Sequence, residues 1–222
     1  MCIKTKSEMF CLGIVILSFA IAVYLYPMMP DRVASHWNAQ GQVDGYTDKF
    51  WGLFIMPLVS IALLLLFVAI PRIDPLKENI QKFRKTFDIF VILVLLFLLY
   101  LFGLTIIWNF GTKFNMIWAL VPAFVGLFYY VGILIENAKR NWFIGIRTPW
   151  TIMNENVWNR THKLGGKLFK ISALIAVLGM LFEDYALWFV LVPIIAVSAY
   201  LFVYSYFEFQ KEMMKKPKKK KK

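Results

Sequence analysis

The sequence predicts an all-α integral membrane protein of about six transmembrane helices in three hairpins, with both termini in the cytoplasm. Three observations predict it. The 222 residues are 60% hydrophobic and 17% charged, whereas a soluble domain sits near ~45–50% apolar and ~25% charged. The apolar residues gather in runs close to the ~20 residues a helix needs to span a bilayer. The basic residues lie between these runs, so that 22 of the 25 Lys and Arg fall on one side of an alternating topology. That bias orients a membrane protein with its basic loops inward.

Six spans follow in order: Met9–Tyr26, Phe50–Ile70, Phe87–Trp108, Phe114–Ile135, Leu168–Phe182 and Tyr185–Phe207. The first is read as a retained helix rather than a signal peptide, because Tyr26, Pro27 and Met28 follow it and no small-residue cleavage site does. The fifth is short, to be completed either over Gly165 and Gly166 or by snorkelling of Lys167 and Lys170. The implied units are an N-terminal hairpin with a folded external loop (1–72), a central hairpin (73–135), an inner loop with the last two helices (136–210) and a lysine-rich cytoplasmic tail (211–222). Spans two, four and six each carry a proline, Pro57, Pro122 and Pro193, with Trp51, Trp118 and Trp188 shortly before. Three related hairpins would produce this pattern. So would the ordinary tolerance of membrane helices for proline and of interfaces for tryptophan.

Net charge is +12, yet its placement suits anionic lipid, above all at the tail KKPKKKKK, and not direct nucleic-acid binding. Cys2 and Cys11 imply no disulfide framework. The spans are nearly free of ionisable residues at mid-depth; Asp88 and Glu136 fall at their cytoplasmic ends. Ion-coupled transporters place such groups near the midplane, so the pattern argues against a coupled pump. A passive transporter or a lipid-handling protein remains the alternative.

Two loops hold the polar information. The outer one, YPMMPDRVASHWNAQGQVDGYTDKFWG, is read as compact. Pro30 suits the first position of a short helix, with Val33 and Trp37 four apart on its apolar side. Gly41 and Asp44-Gly45 are turn signals. His36, Asn38, Asp44, Tyr46 and Asp48 lack metal-ligand spacing. They are read either as loop hydrogen-bonding groups or, for His36, as a titrating sensor. In the inner loop, NAKRNWFIGIRTPWTIMNENVWNRTHKLGGKLFK, Thr148 caps a helix with Pro149 at its first position. Trp150, Met153, Val157 and Leu164 share one face, and Gly165 and Gly166 end the helix. This is the pattern of an interfacial amphipathic helix, serving either as a lipid-anchoring elbow or as a docking surface. Arg147 before it offers a bidentate fork for a phosphate or carboxylate. No nucleophile–base pair is visible, and His36 and His162 fall on opposite sides of the membrane. No catalytic residue, cofactor or metal is expected.

The stretch NWFIGIRTPWTIMNENVWNRTHKLGG resembles the signature of the SdpI family, membrane immunity proteins that protect bacteria from the Sdp-type cannibalism toxin. The stretch MPDRVASHWNAQGQVDGY resembles the domain of unknown function that often precedes it. The resemblance implies neutralisation of a secreted membrane-active peptide toxin, a bacteriocin-like agent. It also implies signalling by capture of a cytoplasmic transcriptional repressor. On this view Pro30, His36, Trp37, Asn38, Gly41, Asp44, Gly45 and Tyr46 face the toxin. Asn141, Gly145, Arg147, Thr148, Pro149, Trp150, Trp158, His162 and Gly165 hold the partner or the inner architecture.

Overall fold

The computed structural model describes residues 5–215; Cys2 and the tail lysines from Lys216 onward lie outside them. Eight helices and one hairpin follow in order: α1 Lys6–Leu25, β1 Arg32–Trp37, β2 Val43–Asp48, α2 Lys49–Ile73, α3 Lys77–Gln81, α4 Arg84–Asn109, α5 Met116–Asn137, α6 Pro149–Met153, α7 Glu155–Leu178 and α8 Ala186–Lys215. Among the described residues, α1, α2, α4, α5, α7 and α8 are each long and apolar enough to cross a membrane. The protein is a multi-pass membrane protein.

The six long helices alternate in direction and form two groups. Helices α1, α2 and α4 pack on one another, and α5 packs most extensively on α7, which in turn packs on α8. The α4–α5 contact joins the groups. One apolar core runs through Val15, Leu64, Phe87, Leu95 and Leu134 to Trp158 and so spans both. The bundle has a hairpin end, where the β-strands sit, and a termini end, where α1 begins and α8 finishes.

Helix starts follow local chemistry. Thr5 and Glu8 form a capping box on α1, Asn115 caps α5, and Asn154 caps α7 through Asn156 N and Val157 N. Each cap satisfies backbone donors that a helix start leaves open. Pro57, Pro122 and Pro193 lie inside α2, α5 and α8.

Two expectations are overturned. The outer loop contains no helix at Pro30; β1 and β2 pair antiparallel, with Val33 opposite Thr47 and Trp37 opposite Val43. The four-residue spacing of Val33 and Trp37 belongs to a strand interrupted by register shifts between Ala34 and Trp37. Residues four apart share a face in a strand as they do on a helix, so this spacing alone does not distinguish the two. Nor is the inner amphipathic segment one helix ended by Gly165 and Gly166. Asn154 splits it into α6 and the first turns of α7, and α7 runs unbroken through Gly165 and Gly166. The two glycines do not stop the helix but let α5 approach. A Cβ on Gly166 would lie 2.6 Å from Gly132 O and 2.1 Å from Glu136 Cγ.

Candidate functional site

At the hairpin end the chain builds a platform anchored to the helices. Asn38 turns β1 into β2: its Oδ1 accepts from Gln40 N and Gln42 N, both at 3.0 Å. Gly41 then takes a left-handed φ of +76°, which suits glycine. The hairpin is fixed to the helices by two asparagines. Asn109 at the end of α4 accepts from Ala34 N at 2.8 Å and donates to Ala34 O at 3.1 Å, pairing its side-chain amide with the strand backbone. Asn115 donates to Gln40 O at 2.8 Å and to Glu183 Oε1 at 3.1 Å. Met116 N reaches Gly41 O, and a Cβ on Gly41 would fall 1.9 Å from Asn115 Oδ1. Gly52 gives the same close fit between α2 and Val33.

The platform's residues divide by direction. Val33 and Ala34 are buried, and Trp37 meets Trp108 edge to face at 5.9 Å. His36, Asp44 and Tyr46 are exposed. His36 Nδ1 lies 2.5 Å from Asp44 Oδ1, and Gly45 opposite His36 leaves room for the ring, since a Cβ there would meet His36 Cβ at 2.9 Å. Pro30 is exposed just before β1. Asp31 and Lys49 close the base at 2.8 Å. The Lys49 hydrogen bond and charge hold the Asp31 carboxyl below its usual range.

At the termini end the inner motif folds into a buried knot. Asn141, 0% exposed, accepts from Phe143 N and Ile144 N and donates to Lys139 O and Ile144 O. Its amide thereby organises the whole turn. Gly145 follows at φ +110°, where a Cβ would lie 2.4 Å from His162 Nε2. His162 Nε2 accepts from Ile146 N at 3.0 Å, so Nδ1 carries the proton and donates to Trp158 O. The His162 ring stacks on Trp158 at 3.8 Å, and Trp158 Nε1 donates to Ala138 O at 2.8 Å. Thr148 caps α6 and meets Ser205 of α8 at 2.9 Å. Pro149 opens α6, and Trp150 packs edge-on to Phe202 and Tyr206. Gly165 admits Ile146, whose Cδ1 would be 2.5 Å from a Cβ. Nearly every polar atom of the motif is answered from within the protein. Arg147 differs: it is exposed, and its Nη1 donates to Trp142 O at 2.7 Å. With Trp142, 50% exposed, and Met153, 70% exposed, it forms the outward surface here.

Three features at this end were not legible as motifs. Asp74 ties the α2–α3 turn to the knot, accepting from Leu76 N at 2.6 Å and Trp142 N at 2.9 Å. Glu8, 5% exposed, receives Arg72 and Arg84 at 3.0 Å each, while Arg84 also binds Asp88 at 2.6 Å. This balanced cluster fastens the starts of α1 and α4 to the end of α2. Removing one member of such a cluster costs about 3–5 kcal/mol, because the remaining charge stays buried. Finally, an apolar cavity of ≈ 430 Å³ opens between the helix groups, lined by Phe67, Phe87, Phe90, Leu134, Phe169 and Leu201 among others. Among the described residues no group of His, Cys, Asp and Glu is placed to hold a metal ion.

Two family models match the chain. Residues 13–61 match the domain of unknown function DUF1648, and residues 137–206 match the SdpI/YfhL protein family. The first segment brackets the hairpin platform; the second runs from the knot through most of α8. The chain is 26% identical over 208 residues to the immunity protein SdpI of Bacillus subtilis (strain 168), covering 91% of this chain and 97% of that protein. No solved structure matches it.

Proposed function

We propose that this chain, a member of the SdpI family, is a membrane immunity protein that meets a secreted, membrane-active peptide toxin on its β-hairpin platform. The observation that carries this reading is the division of the platform. Its backbone is locked to α4 and α5 by Asn109 and Asn115, while His36, Asp44 and Tyr46 point outward. A preorganised surface of this kind binds without spending interaction energy on ordering itself. The reading sets the hairpin end outside and both termini in the cytoplasm, which follows the 22-to-3 split of Lys and Arg and the rule that basic loops stay inside. The termini end then offers Trp142, Arg147 and Met153 to a cytoplasmic repressor. The buried motif residues shape that surface rather than touch the partner.

The test is survival of a toxin-sensitive strain, lacking its own immunity gene, with and without this protein during challenge by an Sdp-type peptide. Survival only with the protein is expected. Equal killing at good membrane levels would remove the proposal. One observation favours a second reading: the apolar cavity between the helix groups suits a passive transporter or a lipid-handling protein. Toxin-independent flux in proteoliposomes would support that reading over the first.

A further inference from the structure

The first half of α7 has two faces. One buries Trp158, His162, Gly165 and Gly166 in the knot and against α5. The other carries Arg160, Lys163 and Lys167, at spacings of three and four residues that align them along the helix. With Leu164, and with Tyr204 from α8, these three cations line a pocket of ≈ 240 Å³.

The charges there are unevenly matched. Arg160 binds Glu208 at 3.0 Å and Glu212 at 2.9 Å. Those carboxylates are already shared, Glu208 with Lys211 at 2.8 Å and Glu212 with Lys215 at 3.2 Å. Lys163 and Lys167 make no ion pair among the described residues. Lys170, one turn further on, is by contrast taken by Glu136 at 2.8 Å. The pocket also sits at a defined depth. Past Lys170, which Glu136 neutralises, the helix is apolar from Ile171 to Leu178 apart from Ser172, so Lys167 stands about one turn before that stretch, at the level where headgroups meet hydrocarbon. An aromatic hydroxyl such as that of Tyr204 favours the same level.

We propose that this pocket holds the headgroup of one anionic phospholipid, its phosphate between Lys163 and Lys167 and its chains along the apolar part of α7. Basic pockets between membrane helices recognise such headgroups. A zwitterionic choline lipid brings a cation of its own into a site that already carries unmatched cations, and is disfavoured. The occupant is a bound structural lipid, distinct from the toxin contact at the opposite end of the bundle. The inference depends on the pocket's depth and charge and not on which side of the membrane it faces.

The test compares three full-length proteins purified in detergent: wild type, K163Q/K167Q and K77Q/K82Q. The last changes net charge equally on exposed lysines at the same end. Each is incubated with phosphatidylglycerol or with phosphatidylcholine of identical chains. Bound lipid is counted by native mass spectrometry, and thermal unfolding is followed in parallel. Wild type and K77Q/K82Q are expected to retain one phosphatidylglycerol and to gain thermal stability from it. K163Q/K167Q is expected to retain roughly 10–30-fold less, given the strength of two lysines at an anionic surface. Equal retention of phosphatidylcholine by wild type, unchanged retention by K163Q/K167Q, or an equal loss in K77Q/K82Q would each overturn the site.

Discussion

The two ends of the bundle use their polar residues in opposite ways. At the termini end, Asn141, Thr148, Trp158 and His162 turn inward and are answered by backbone and side-chain atoms of the same protein. At the hairpin end the fixing is done from below by Asn109 and Asn115, and His36, Asp44 and Tyr46 are left facing outward. A buried polar group must find its partner inside the fold or cost stability; an exposed one is free to serve recognition. Two motifs of similar prominence therefore carry different roles, one architectural and one presenting a surface.

Substitutions sharpen this contrast, and the largest effects belong at the termini end. Trp158→Ala empties a fully buried site and leaves Ala138 O without its donor. It is expected to cost about 3–5 kcal/mol, read as a lowered thermal midpoint and reduced membrane level. Gly145→Ala comes next. It forces a side chain into a left-handed position and against His162, with an expected cost of order 1–3 kcal/mol by the same measurements. A variant of either kind with full stability would break the claim that the knot is architectural.

Asn109→Ala links the two regions. It orphans Ala34 N and Ala34 O at once, and each unsatisfied buried group costs about 1–3 kcal/mol. The expected signature is local: faster amide exchange over residues 32–48 with the bundle unchanged. Uniform exchange across the protein would mean that the hairpin is part of the folding core rather than a mounted platform. His36→Ala has the smallest expected effect on stability, within about 0.5 kcal/mol for an exposed site, since its partnership with Asp44 is solvent-facing.

The helical plan was legible because hydropathy and the placement of Lys and Arg are one-dimensional signals. The fifth span shows where such signals fail. Its helix begins at Glu155 rather than near Leu168, because one face of the turns before Lys167, carrying Trp158, Thr161 and His162, is buried against the rest of the protein. Gly165 and Gly166 look like stops in a single sequence; only the neighbouring α5 reveals them as places of close approach. The hairpin was hidden because residues four apart share a face in a strand as on a helix; Gly41 marked its turn, whereas Asp44-Gly45 lies inside β2. The Glu8–Arg72–Arg84 cluster joins residues far apart in the chain, and no local pattern announces such a pairing. Among the motif residues, sequence grouped the two sets that the fold places at opposite ends of the bundle, although Trp158, His162 and Gly165 belong to the long helix α7 rather than to a loop. It did not distinguish those facing inward from those facing out, which depends on tertiary packing.

The most direct measurement plots survival under toxin challenge against membrane level for two sets of variants, with wild type expressed at graded levels as the reference curve. Termini-end variants such as Trp158→Ala and Gly145→Ala are expected to fall on that curve, losing protection only as they lose protein. The H36A/D44A/Y46A triple variant is expected to fall well below it, dying at a membrane level that protects wild-type cells. Hairpin variants lying on the wild-type curve would contradict the assignment of toxin contact to the platform.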